Sequence, residues 1–271
     1  MNKSRTKVWR TGRILYFHEK ADADFWDKYW TGSITKEFFK PYEEGNLDEF
    51  SLVFEKYLGK DDRILEAGCG TGRYIVALLA RGYRKIEGIE WGRKTIEKVR
   101  SIYPDLPVSV GDVLSVDVPD HSYDGYISLG VVEHRAEGPE PFLTEAFRIL
   151  RPGGYAIFSV PYVNALRKIK GQLGRYLKEI PGDGVFYQYA FGRSEFTDFL
   201  QKAGFNLIET QGAAGYFCLN EELPTLFSFL DKLPGGWRIK EYVKRSNWIN
   251  YFGHIMIFVC RKPFEKDTPA N

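Results

Sequence analysis

Between residues 61 and 161, short apolar runs alternate with stretches in which apolar residues recur at helical spacing. Several of the runs hold adjacent apolar residues rather than a strict alternation, as in strands that are buried on both faces. They predict strands at Arg63–Ala67, Lys85–Trp91, Val108–Asp112, Tyr123–Leu129 and Tyr155–Pro161. The stretches between them predict helices over residues 72–81, 93–102 and 139–150. This alternation predicts an α/β fold with a mostly parallel sheet that is covered on both faces.

The segments on either side have other patterns. Residues 1–60 are aromatic and polar and predict helices, whereas residues 163–190 and 212–250 show no clean period and are interpreted as insertions. A helix at Ser194–Ala203 and strands at Phe205–Glu209 and His254–Arg261 bring the predicted sheet to seven strands. We therefore predict a doubly wound domain over residues 61–263, preceded by a helical segment (1–60) and succeeded by a loose tail (264–271).

Composition and charge mainly exclude certain partners and certain kinds of site. The chain has 271 residues, enough to bury a full core, and its net charge of +2 does not favour nucleic acid as a partner. Its three cysteines have neither metal-ligand spacing nor a disulfide pattern, which predicts a cytoplasmic protein without a metal. No apolar stretch comes after the basic start, and the longest apolar run, Ile255–Cys260, is too short to span a bilayer.

The most informative segment is Glu66–Gly72, which lies between a predicted strand and a predicted helix. Glycines at positions 68, 70 and 72 make a turn with almost no side-chain bulk. Such a turn can adopt positive φ and let a ligand touch the main chain. At the carboxyl end of the first strand of an α/β sheet, it is typical of nucleotide-like ligands. On its own, this turn fits an NAD(P)-dependent oxidoreductase as well as other nucleotide-binding enzymes.

Four motifs resolve that ambiguity by resemblance. Leu65–Arg73 resembles the first motif of the class I S-adenosylmethionine (SAM) dependent methyltransferases, LExGCGxG, and Ser122–His134 resembles their fourth, FDxIxxxxxLEH. Val110–Leu114 and the turn Leu150–Gly154 are also similar to motifs of this family, and the subgroup with the LEH signature acts on small molecules. The resemblance implies a Rossmann-like methyltransferase fold, SAM as the cofactor and S-adenosylhomocysteine as the product.

The resemblance also implies a set of cofactor-binding residues. The glycine turn contributes Glu66, Gly68, Cys69, Gly70 and Gly72. Glu90, at the end of the second strand, can accept two hydrogen bonds from a ribose diol. Asp112 and the N–H of Val113 are expected to read the adenine, while Leu129 and Gly130 are expected near the methionine part of the cofactor.

Four aromatic or titratable positions carry two interpretations each. Trp91 either covers one face of the adenine or packs in the core. Tyr29 and Trp30 either cover the cofactor and steady its cation or pack a helix against the core. His134 comes just after the fourth strand, where it either acts as a general base or forms a wall of the pocket.

The acceptor is less well defined. Tyr162, Tyr187 and Tyr189 are candidate lining residues for a small acceptor that is methylated on O or N. The basic residues from Arg167 to Lys178 are interpreted as a solvated face rather than as a site for an anionic substrate. An RNA or protein acceptor and a non-catalytic SAM-binding scaffold are the alternatives. The apolar stretch 216–248 is a candidate homodimer interface.

Overall fold

The computed structural model describes residues 5–180, 182, 184–246 and 251–264. These residues form ten strands and eleven α-helices. The strands are β1 (Thr6–Arg10), β2 (Arg13–His18), β3 (Arg63–Ala67), β4 (Lys85–Glu90), β5 (Val108–Val110), β6 (Tyr123–Leu129), β7 (Leu150–Pro161), β8 (Val185–Ala190), β9 (Asn206–Ala213) and β10 (Ile255–Arg261). The helices are α1 (Ala23–Thr31), α2 (Lys36–Glu43), α3 (Ser51–Tyr57), α4 (Arg73–Ala80), α5 (Arg93–Arg100), α6 (Glu140–Ile149), α7 (Ala165–Gln172), α8 (Arg193–Lys202), α9 (Gly215–Glu222), α10 (Pro224–Lys232) and α11 (Gly236–Arg245).

The larger sheet has seven strands in the order β5-β4-β3-β6-β7-β10-β9. The pairs from β5 to β7 are parallel, and β10 runs antiparallel between β7 and β9. Neighbouring residues on one strand enter opposite cores, so Ile157 joins the core on one face of the sheet and Phe158 the core on the other. This arrangement confirms the predicted doubly wound, mostly parallel fold.

The predicted strands and helices from residue 61 to residue 161 are all present, with shifted ends. Strand β7 begins at Leu150 rather than at residue 155, because Leu150 already pairs with Tyr123 before the irregularity at the Pro-Gly-Gly turn. Strand β5 is shorter than predicted and ends at Val110, and Asp112 already belongs to a loop in which its carboxylate accepts from the N–H of Leu114.

A second sheet, of order β1-β2-β8, was not predicted. Thr11 and Gly12 both have positive φ, 48° and 87°, which suits the tight turn of a two-residue hairpin. Ile14 and Tyr16 point inward from β2, and β8 completes the sheet as an antiparallel partner. The helical interpretation of residues 1–60 is therefore wrong for residues 6–18. The division of the chain into segments stays a prediction, and residues 247–250 and 265–271 lie outside the described ranges.

Helices α7 and α9, one from each insertion, are joined by a buried ionic network. Glu222 accepts hydrogen bonds from Lys7 (2.8 Å), Arg167 (3.1 Å), Lys170 (2.5 Å) and Tyr176 (2.8 Å). The side chain of Arg167 is fully buried, so its interpretation as part of a solvated face is wrong. Burial works to raise the pKa of Glu222, but the hydrogen bonds from Lys170 and Lys7 outweigh it and lower the pKa to about 2.

None of the helices in the described ranges is both long enough and apolar enough to cross a bilayer.

We expect Glu222→Gln to lower the free energy of unfolding by about 3–5 kcal/mol, because it leaves buried cations without their shared carboxylate. The loss should shrink as pH falls from about 4.5 toward 2, since a carboxylate with a lowered pKa stabilises the fold only while it is ionised. Urea unfolding at several pH values measures both effects. Glu179→Gln, at an exposed position on the first insertion, is the control. Equal stability of the two variants would contradict a structural role for this network.

Candidate functional site

A cleft opens at the carboxyl ends of strands β3 to β6. The strand order reverses between β3 and β6, and ligands of open α/β sheets bind at such a switch point. Helix α1 lies over the cleft. The lining residues are Ala21, Trp26, Trp30, Gly68, Glu90, Trp91, Asp112, Val113, Leu129, Gly130, Val131, His134 and Phe142.

The glycine turn after β3 holds a conformation that other residues would strain. Gly68, Gly70 and Gly72 have φ values of 77°, 52° and 72°. A Cβ on Gly68 would lie 2.5 Å from a Val131 methyl group, and a Cβ on Gly70 would lie 3.0 Å from the ring of Trp30. The absence of side chains therefore lets the neighbouring loop and helix α1 approach the turn.

Glu90 ties two loops together at the floor of the cleft. Its carboxylate accepts hydrogen bonds from the backbone N–H groups of Gly70 (2.9 Å) and Gly92 (3.0 Å). Burial raises the pKa of Glu90, and these backbone hydrogen bonds oppose that rise. A buried acceptor is thereby placed where a ligand diol can reach it.

Trp91, Asp112 and Val113 also line this edge of the cleft, where a ligand ring could contact them. Trp91 lines the cleft and remains 51% exposed, so its ring is not a core side chain. Asp112 and Val113 also line the cleft, and the Asp112 carboxylate accepts from the N–H of Leu114 at 2.9 Å. The side-chain hydrogen bond of this short loop is made with Leu114, so it does not involve the N–H of Val113.

Helix α1 is fixed over the cleft by Asp27. The N-terminus of α5 begins after Gly92, which has no side chain to cap it. Asp27 supplies the cap from α1: its carboxylate accepts from the Thr95 N–H (2.8 Å), the Thr95 hydroxyl (2.9 Å) and the Lys94 N–H (3.2 Å). Trp26 and Trp30, on the same helix, are thereby held in the wall of the cleft.

His134 lies at the inner end of the cleft beside Leu129 and Gly130. Its Nδ1 is 2.8 Å from the backbone carbonyl of Tyr187, which can only accept, so Nδ1 carries the proton. Its ring packs edge-on against Trp26 and Tyr187, with centroids 4.9 and 4.8 Å away. Burial lowers the pKa of His134 to about 4 despite the opposing hydrogen bond, so the imidazole is neutral at physiological pH.

Two buried carboxyl groups flank the cleft. Burial raises the pKa of Glu66 to about 8, although the charge of Arg73 opposes it. Burial raises the pKa of Glu133 to about 8 as well, and one of its oxygens is 3.8 Å from Nε2 of His134. Each group has one carboxyl oxygen without a protein hydrogen-bond partner. Glu133 was not among the residues that the sequence singled out.

The structure separates the predicted residues into two groups. Eight of the predicted cofactor residues line the cleft together with His134: Gly68, Glu90, Trp91, Asp112, Val113, Leu129, Gly130 and Trp30. Glu66, Cys69, Gly70, Gly72 and Tyr29 do not line it. The Cys69 side chain packs close to Gly88 behind the turn, and Tyr29 stacks on Phe25 at the surface. Sequence reasoning missed Trp26, whose i,i+4 spacing from Trp30 places both rings on one helix face.

The predicted acceptor residues lie around this cleft rather than in its lining. Tyr187 and Tyr189 are alternate residues of β8, so they share a face of the strand. Tyr187 contacts the ring of His134, and the Tyr189 hydroxyl donates to the carbonyl of Ala136 at 2.7 Å. Tyr162 lies farther along, where its carbonyl accepts from Arg167 at 2.8 Å.

Comparisons with known proteins agree with this geometry. Residues 65–158 match the methyltransferase domain family. The chain is also 32% identical over 197 residues to a probable S-adenosylmethionine-dependent methyltransferase of Mycolicibacterium smegmatis, in an alignment that covers 73% of this chain and 68% of that protein. This chain belongs to the SAM-dependent methyltransferases. This membership confirms the enzyme class, the cofactor and the fold that the motifs predicted.

Further relatives of the methyltransferase support the same grouping. A probable S-adenosylmethionine-dependent methyltransferase of Mycobacterium tuberculosis is 30% identical over 52% of this chain and about half (48%) of its own length. The solved structure of a Burkholderia thailandensis 1,6-didemethyltoxoflavin-N1-methyltransferase has a TM-score of 0.52 at 16% identity, covering 95% of this chain and 99% of that one. At that identity the likeness concerns the fold.

The cleft of the methyltransferase fits SAM on its own chemistry. Glu90 offers a buried carboxylate to a ribose diol, and the bare turn at Gly68 admits close approach to the main chain. Trp91 offers an accessible ring face, and Asp112 with the N–H of Val113 offers an acceptor and a donor to a base edge.

We expect Glu90→Ala to weaken SAM binding by about 10- to 100-fold, because it removes a charge-assisted pair of hydrogen bonds to the ribose and the clamp between Gly70 and Gly92. Calorimetric titration with SAM measures the effect. Glu97→Ala, on the exposed face of α5, should bind SAM like the unmodified chain. An unchanged affinity in Glu90→Ala would place the ribose elsewhere.

We expect Asp27→Ala to lower the free energy of unfolding by about 1 kcal/mol through loss of the helix cap. SAM affinity should fall by about fivefold, since the closed position of α1 is stabilised by the same hydrogen bonds. Asp24→Ala, an exposed carboxylate one turn earlier on α1, is the matched control. If Asp27→Ala lost stability but kept its SAM affinity, α1 would not be part of the cofactor site.

Proposed function

We propose that this methyltransferase moves the methyl group of SAM to an O or N nucleophile of a small or medium-sized acceptor, mainly by proximity and orientation. When bound, SAM supplies an electrophilic methyl group that accepts a nucleophile in line. The chain's own task is to hold the acceptor close, collinear and away from water. The roofed cleft carries this proposal, since a mostly apolar lining with a few polar groups is typical of sites for small ligands.

The state of His134 favours orientation over strong base catalysis. With Nδ1–H donated to the carbonyl of Tyr187, Nε2 keeps the lone pair that could take the acceptor's proton. A pKa of about 4 keeps that lone pair free at neutral pH but makes it a weak proton acceptor. General base is thus the secondary role of His134, and forming the wall beside the reacting atoms is the primary one.

The aromatic residues of the insertion near β8 support a small acceptor. Tyr187 packs against His134, and Tyr189 is tied to the carbonyl of Ala136 on the same loop. We place the acceptor against this face of β8, with Tyr162 farther out. The same assignment makes Glu66, Gly68, Cys69, Gly70, Gly72, Glu90, Trp91, Asp112, Val113, Leu129, Gly130, Tyr29 and Trp30 the cofactor-binding set. Glu66, Cys69, Gly70, Gly72 and Tyr29 would act from behind or beside the lining.

The alternative acceptor class is an RNA or a protein, which the basic side chains of the two insertions would favour. Release of S-adenosylhomocysteine separates the classes when the chain is offered small hydroxy, amino and carboxy compounds in parallel with bulk tRNA and denatured protein. Turnover of small compounds alone supports the proposal, and turnover of tRNA or protein alone overturns it.

The cytoplasmic location and a homodimer through residues 216–248 stay predictions.

We expect His134→Ala to reduce kcat by less than about tenfold, with SAM affinity nearly unchanged, because orientation rather than proton transfer carries the rate. Rates of S-adenosylhomocysteine release against pH, with an acceptor found in the screen, check this. A loss of about 10²-fold or more, together with removal of a rate limb centred near pH 4, would instead make His134 a general base. His134→Gln, which keeps a donor for the Tyr187 carbonyl, separates loss of packing from loss of the lone pair.

A further inference from the structure

Helix α10 is apolar on the side that faces away from the protein. Leu226 and Phe229 lie at i and i+3, so they form one stripe, and they are 49% and 57% exposed; Leu233, directly after the last residue of the helix, is 39% exposed. The opposite side of α10 is anchored, because Phe227 is buried in a small core with Leu219 of α9. The helix therefore exposes an apolar stripe that its own fold does not need.

Helix α11 adds aromatic and cationic side chains beside that stripe. Trp237 and Tyr242 are 64% and 69% exposed, and α10 and α11 are packed against each other. Arg238 and Lys244 are exposed on the same helix, and Lys232 is exposed at the end of α10. Large aromatic rings together with cations are typical of helices that lie in a lipid interface.

Helix α7, from the first insertion, has the same character. Ile169 and Leu173 are 53% and 69% exposed at i and i+4, with the exposed Lys168 beside them. The Glu222 network and the packing of Leu166 against the core of Leu219 and Phe227 join α7 to α9 and α10. We call the exposed side chains of α7, α10 and α11 the cap surface.

Charge is distributed unevenly between the insertions and the rest of the chain. Residues 163–180 and 214–246 carry ten Lys and Arg side chains against five carboxylates, a surplus of five positive charges. Since the whole chain has a net charge of only +2, the remainder is net negative. An asymmetry of this kind indicates a partner with negative charge on the side of the insertions.

We propose that the cap surface binds the interface of a membrane that contains anionic lipids. Anionic headgroups complement the surplus of cations, while the acyl region accepts the stripe of α10 and the rings of α11. Nucleic acid would match the charge but would leave Leu226, Phe229 and Leu233 in water. A second copy of the chain would cover the stripe, but a two-fold interface would bring like charges together. The inference does not depend on the identity of the methyl acceptor.

Co-sedimentation with vesicles tests the proposal on the full chain. We expect binding to vesicles of phosphatidylcholine mixed with phosphatidylglycerol, and weaker binding to phosphatidylcholine alone or at high salt. Phe229→Ser should weaken the partition by about tenfold. Lys232→Gln combined with Lys244→Gln should weaken it by roughly thirtyfold on the anionic vesicles.

Matched variants outside the cap surface make these changes specific. Leu52→Ser, at a 73% exposed position of α3, and Lys36→Gln, at an exposed position of α2, should partition like the unmodified chain. Equal SAM affinity by calorimetry in all variants shows that each one is folded. The proposal is overturned if the chain does not sediment with anionic vesicles, or if Leu52→Ser weakens binding as much as Phe229→Ser. It is also overturned if light scattering shows a dimer that Phe229→Ser disperses, or if the double lysine variant loses binding to tRNA but not to vesicles.

Discussion

The carboxylate of Asp27 determines whether the cleft has a roof. A helix N-terminus that begins after glycine presents unsatisfied N–H groups, and here those groups point at a neighbouring helix instead of at water. A single side chain from α1 satisfies them, and only a glycine at position 92 leaves room, since a Cβ there would lie 2.5 Å from the Asp27 carboxylate. The cap of one helix is therefore also the attachment of another, and the two tryptophans of α1 take their positions from it.

A second carboxylate satisfies backbone N–H groups at the floor of the cleft. Glu90 receives the N–H groups of the turn after β3 and of the start of α5, so the loops that meet a cofactor are tied through one buried carboxylate. Two buried carboxyl groups beside the cleft differ, because Glu66 and Glu133 each keep an oxygen without a protein partner. The site thus combines rigid loops with two buried carboxyl groups whose hydrogen-bonding capacity is partly unused by the protein.

The central sheet could be predicted because its strands are marked by local sequence. Arg63–Ala67 and Tyr123–Leu129 are largely apolar over their length, and the glycines at 68, 70 and 72 indicate a tight turn directly after the first of them. The sheet of β1, β2 and β8 escaped prediction although β2 and β8 are rich in apolar and aromatic residues, since their pairing joins Ile14 to Ala190, far along the chain. The burial of Arg167 escaped prediction for the same reason, because its partner Glu222 lies 55 residues farther along the chain.

The ladder between β2 and β8 has a consequence for how this enzyme can be recombined with others. The insertion that carries Tyr187 and Tyr189 is not a detachable loop, because its backbone hydrogen bonds are made with residues 14–18 at the other end of the chain. Transplanting the insertion alone would leave one exposed strand edge in the donor and another in the recipient. The unit that has to be transferred is therefore discontinuous, because it must include both the N-terminal hairpin and the segment around β8.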